Sequence, residues 1–220
     1  MNDYVVFALQ FVFVLLPAII VHEASHGWVA LLLGDTTARD RGRLSLNPRA
    51  HIDPFGTILL PIILLLSSGG KFSFGYAKPV PINPWRMPNY RTGMLLTGLA
   101  GPTSNLAMAT FGALLFRALS FANAGGTVGN VAALWALYFV QFNLVLMFFN
   151  LIPLPPLDGS RVLPLFLSDR GMQTYARLEQ YGILFVFLLV FIVPPLLHVD
   201  PLGAYFRVTV MPLLRILLGV

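Results

Sequence analysis

Residues 17–30 read PAIIVHEASHGWVA, two histidines and a glutamate inside a run otherwise apolar enough for lipid. The apolar run covers residues 4–33, roughly thirty positions, enough to span a bilayer with tilt or to project a turn beyond it. A helix repeats every 3.6 residues, so His22 and His26, at i and i+4, project from one face a turn apart, as two imidazoles must to share one Zn²⁺. Glu23 is their neighbour. In H-E-x-x-H the glutamate takes a proton from water activated by the metal and later passes it to the leaving nitrogen. Ionisable groups at membrane depth point to function, because burying them there is costly. A structural zinc site would want four protein ligands, usually with Cys, and the chain has no Cys.

Composition agrees with a bilayer setting. The 220 residues are 57% hydrophobic and 10% charged, with a mean hydropathy of +0.78, which describes a polytopic membrane protein rather than a soluble domain with one anchor. A single membrane-embedded domain over residues 1–220 accounts for the length, with a zinc core at about 4–166 and accessory C-terminal helices at about 180–220. The net charge of +5 comes from twelve Arg and two Lys lying between apolar runs. That distribution suits anionic headgroups and the positive-inside rule, and no nucleic-acid motif is present. Only Asn2 and Asp3 precede Tyr4, without the basic start or cleavage site of a secretory signal, so the first run is expected to remain as a transmembrane helix. Arg39, Arg41, Arg43 and Arg49 follow it and no basic residue precedes it, which orients the chain N-outside and C-inside.

The remaining chain predicts an all-α polytopic fold with about five to six transmembrane helices, a re-entrant segment and a small membrane-associated β element. Residues 42–47, GRLSLN, alternate Leu44 and Leu46 with polar neighbours as a strand would. Residues 76–83, YAKPVPIN, are extended because Pro79 and Pro81 forbid helix and allow only edge pairing; if the two tracts pair, they offer an edge to an extended peptide. Residues 55–66 are apolar but short, with Pro61 in the middle, and a full crossing would put Lys71, Lys78, Arg86 and Arg91 outside, so this piece reads as re-entrant or interfacial. His51 and Asp53 before it read as a loop and cap. Residues 92–119 form the next span, whose Gly98, Gly101, Ser104 and Gly112 permit close helix approach and whose Asn105 suits an interhelical hydrogen bond. Residues 121–130 are an uncharged loop. Residues 131–151 span again and run into NLIPLPPLDG at 150–159, where three prolines break the helix. Residues 168–180 are amphipathic, 181–197 a short span, and 205–220 apolar enough to return or lie in the interface.

A catalytic zinc takes three protein ligands and water, so His22 and His26 need one more. A second Gly-and-His continuation on the same helix fails, since Val29 stands where the Gly should be. A glutamate as third ligand leaves only Glu179, the one Glu besides Glu23, and Asp158 lies on the inner side with it. Asp158 follows a broken helix in an apolar, proline-shaped setting, whereas Glu179 sits among Arg and Gln. Asp158 could also serve as an N-cap for residues 161–166.

HEASH, GPTSN and NLIPLPPLDG together resemble the site-2 protease family of intramembrane zinc metalloproteases, in a minimal form without PDZ or CBS domain, over residues 17–162. The resemblance implies that His22, His26 and Asp158 bind one zinc per chain, that Glu23 is the catalytic base, and that Asn105 and Asn150 help place the substrate. It implies a transmembrane protein as substrate, a multi-pass location in a bacterial or archaeal cell membrane, and an active site toward the cytoplasm. Two other readings remain: a non-proteolytic membrane metal-binding or transport protein using the same ligands, and a protease whose third ligand is Glu179.

Overall fold

The computed structural model describes residues 11–67, 75, 77–122 and 126–219. Residues 4–10 of the expected first span, Lys71 and Tyr76 lie outside them. The chain divides into two compact units, Met1–Tyr90 and Arg91–Val220.

In the first unit a π-helical turn, Phe11–Leu15, leads into α1, Leu16–Leu32, which carries the histidines. Pro17 sits in its first turn, where a missing N–H removes no helical bond. Gly34, at φ +96°, follows the last turn in the left-handed conformation that ends helices cheaply only at glycine. Two short helices, Thr37–Asp40 and Pro48–His51, flank the GRLSLN tract. Asp53 then accepts hydrogen bonds from the N–H groups of Phe55 (3.0 Å) and Gly56 (2.7 Å), so the expected cap is present. It opens a π-helical stretch, Pro54–Leu59, continued by α2, Leu60–Ser67. This apolar piece, Pro54–Leu66, is shorter than the candidate spans among the described residues.

Residues 77–83 are neither helix nor strand, and no strand forms among the described residues. The expected β element is therefore not seen there, and its two tracts are joined by a side chain instead. Arg43 Nη2 donates to the carbonyls of Lys78 (2.8 Å) and Pro79 (3.2 Å). Alternate prolines explain the outcome, since each removes a donor that a ladder needs.

The second unit is built from α3 (Tyr90–Phe121), α4 (Gly126–Asn150), α5 (Asp169–Glu179) and α6 (Pro201–Leu218), with a helical stretch, Gly182–Leu197, between α5 and α6. Its core joins Ala109 and Ala113 of α3, Val140 and Leu144 of α4, and Val210 and Leu218 of α6. A Cβ at Gly112 would stand 3.0 Å from Phe139 and 3.1 Å from Val140, so the small residue does permit close helix approach. Among the described residues, four helices are long and apolar enough to cross a membrane: Val12–Leu32, Tyr90–Phe121, Gly126–Asn150 and Pro201–Leu218. The pair Arg170–Glu179 and Gly182–Leu197, bent by 62°, raises the number to five if it counts as one span.

Candidate metal centre

On α1 the two imidazoles are both buried, with ring centroids 4.8 Å apart and planes at 84°. The i, i+4 spacing delivers the shared face that helical geometry dictates. Glu23, half-buried, accepts a hydrogen bond from the Val80 N–H at Oε2 (3.0 Å). One turn beyond it, Gly27 has no room for a side chain: an added Cβ would lie 3.0 Å from Val80 Cγ1 and 3.1 Å from Leu44 Cδ1. The glycine of HEASHG thus admits the two extended tracts to the surface of the metal helix.

In the second unit, Asp158 heads a 3₁₀ stretch, Asp158–Leu165, directly after the proline tract. It is not the N-cap there; that position falls to Leu157, which makes no side-chain cap. Instead Arg161 Nη2 stands 3.7 Å from Asp158 Oδ1. Three contacts hold the turn. Gly159 packs so closely on the Leu151 carbonyl that any side chain would collide with main chain. Gly98 of α3 lies beneath the turn, where a Cβ would meet Arg161 Cβ at 2.8 Å and the Asp158 carbonyl at 3.0 Å. Ser160 Oγ donates to the Leu157 carbonyl (2.7 Å) and is itself bonded to the Tyr175 hydroxyl (3.2 Å).

His22 and His26 on α1 and Asp158 in its 3₁₀ turn are all buried. Two imidazoles and one carboxylate are the donor set of an open, catalytic zinc site, so the residues fit that ion.

The model of peptidase family M50 matches residues 119–193, a stretch that contains Asn150 and Asp158. YwhC of Bacillus subtilis, named as a zinc metalloprotease, is 36% identical over 197 residues, covering 88% of this chain and 82% of that protein. The chain belongs to peptidase family M50. Rip2 of Mycobacterium tuberculosis, also named as a zinc metalloprotease, is 33% identical over 191 residues, 83% of this chain and 66% of that protein. No solved structure matches the chain significantly. The M50 chain is thus a site-2-type zinc metalloprotease with zinc as its cofactor.

Other sequence candidates are placed as follows. Asn105 is fully buried and its Nδ2 donates to Asn143 Oδ1 (2.9 Å), the interhelical bond its spacing suggested. Asn150 Nδ2 donates to the Leu146 carbonyl of its own helix (2.9 Å). His51 is buried with Nε2 2.6 Å from the Ser45 carbonyl. Glu179 is exposed on α5.

Asn143, Arg161 and Val80 were not singled out as site residues from sequence. For Asn143 a signal existed, an amide in the middle of an apolar span. Arg161 stands three residues after Asp158, one helical turn away, which is also legible spacing. Val80 acts through its main chain, for which no residue type gives a signal.

Proposed function

We infer that this M50 peptidase hydrolyses peptide bonds in or near the transmembrane segments of membrane-anchored regulatory proteins, from a site facing the cytoplasm. The observation that carries the reading is the pair of buried imidazoles, His22 and His26, with Glu23 between them on one helix, and the buried carboxylate of Asp158 completes the donor set the family expects. His22, His26 and Asp158 would hold the metal. Zinc, when bound, acidifies water toward neutrality and polarises a peptide carbonyl. Glu23 accepts the proton from the attacking water and returns it to the leaving nitrogen. Leu146 takes one N–H of the Asn150 amide, which carries a second donor and an acceptor for a substrate main chain. Asn105, fixed by Asn143, contributes to the same positioning from α3.

A transmembrane helix hides its carbonyls in its own hydrogen bonds, so the substrate must be held extended before attack. The test compares membrane proteomes of cells carrying the wild-type chain or Glu23→Gln. Membrane proteins should accumulate as uncut stubs in the variant, while the purified variant keeps its zinc. Identical proteomes, or stubs that persist equally in both, would overturn the reading.

A further inference from the structure

Residues 77–83 form a strap whose hydrogen bonding is unusually restricted. Pro79 and Pro81 carry no N–H, so between Lys78 and Ile82 the strap has a single main-chain donor, at Val80. That donor is spent on Glu23 Oε2, at 3.0 Å. The strap is anchored on both sides of it. The Lys78 N–H donates to the His51 carbonyl (2.9 Å), Arg43 grips the Lys78 and Pro79 carbonyls, and the Asn83 N–H donates to Asp35 Oδ2 (2.6 Å). The Val80 side chain is buried, with Cγ1 facing Gly27, one turn on from Glu23.

We propose that the main chain at Val80 is a positioning element for Glu23, holding the carboxylate by one oxygen so that the other takes the proton. A residue followed by proline is confined to extended backbone, so the direction of the Val80 N–H is set by the strap itself. A glutamate side chain otherwise samples several rotamers, and a donor fixed in advance removes that freedom before the reaction begins. The two prolines have a second effect. By deleting the neighbouring donors they leave the carboxylate one partner in the strap and one register. This inference rests on Glu23 being the base.

The experiment uses the full chain in lipid nanodiscs, loaded with zinc, hydrolysing fluorescein-labelled casein, an extended protein with no helix to unwind. Val80→Pro deletes the N–H, whereas Val80→Ala keeps the N–H and removes the packing. Val80→Pro should lower kcat roughly 10- to 100-fold, the usual worth of a hydrogen bond to a charged group, with KM and zinc stoichiometry unchanged. Val80→Ala should keep kcat within about 2-fold, and its retention of the bond separates the two roles. Equal losses in both variants, or wild-type kcat in Val80→Pro, would overturn the proposal. Should Val80→Pro lose zinc, Pro79→Ala combined with Pro81→Ala decides, since it keeps the Val80 donor but frees its direction. A fall in kcat at constant KM supports the proposal, and an unchanged kcat refutes it. Glu23→Gln separates this from the parent reading: if that variant hydrolyses casein at the wild-type rate, or the wild-type chain does not hydrolyse it, Glu23 is not the base and the parent reading fails first.

Discussion

Glu23 and Asp158 are the two carboxylates proposed for the peptidase chemistry, and each unit holds its own in a different way. Asp158 is paired with Arg161, three residues further along its own 3₁₀ turn. Glu23 is bonded to a main-chain N–H 57 residues away in sequence. A local partner comes with the turn that carries the residue, whereas a distant one depends on the fold of the whole unit. Perturbing the first should act on metal affinity, and perturbing the second on chemistry with the metal in place.

The largest expected effect separates these roles outright. Asp158→Ala should abolish zinc binding, whereas Glu23→Gln should retain zinc and lose activity by about 10²- to 10⁴-fold, the span of general-base catalysis. Metal analysis beside peptide hydrolysis reads both, and zinc retained in Asp158→Ala would remove that residue from the ligand set. Next in size, Arg161→Ala should weaken zinc by about 10- to 100-fold, because partners of a ligating carboxylate tune its affinity. Competition with a calibrated chelator measures this, and Arg161→Lys should recover part of it. If Arg161→Ala binds zinc normally, the local pairing of Asp158 is incidental.

The buried amide pair of the second unit offers a contrast in stability rather than chemistry. Asn105→Ala leaves the Asn143 carbonyl oxygen without that donor and should cost about 1–3 kcal/mol. Asn143→Ala should cost a similar amount, and the double variant less than the sum, as read by thermal unfolding in nanodiscs. Simple additivity would mean that the bond carries no coupling.

The smallest effect concerns the anchor of the strap. Burial pushes the Asp35 carboxyl up, but hydrogen bonds from the Thr37 hydroxyl and from the N–H groups of Asn83 and Thr37, with the charge of Arg86, outweigh it and hold the group below its ordinary value. A carboxylate depressed in the folded state contributes stability above its unfolded pKa of about 3.9, and the contribution is lost as pH falls through the folded value. Tm should therefore drop between about pH 4 and lower pH, and Asp35→Asn should flatten that part of the profile. An unchanged acid limb in the variant would show that Asp35 does not couple the strap to pH.

Much of this was legible without coordinates where the signal is short-range. The cap at Asp53 follows from a polar residue at the head of a helix, and its side chain accepts N–H bonds from residues two and three further on. The shortness of Pro54–Leu66 and the small residues along α3 were equally readable. The β element was not, because alternation of side chains is compatible with an extended strap whose main-chain groups are spent on side chains. The bond from the Asn150 amide to the Leu146 carbonyl is one available to any asparagine one turn beyond a carbonyl.

By itself, the sequence determined that two imidazoles share a helix face, that the chain is built of apolar spans, and that residues 79–81 cannot be helical, because helix period and proline geometry act within a few residues. Only the tertiary structure decided that the Val80 N–H meets Glu23, that Asn105 meets Asn143, and that Arg43 joins the two extended tracts. Those partners lie between 35 and 57 positions apart, and a hydrogen bond at such separation is selected by packing rather than by local pattern.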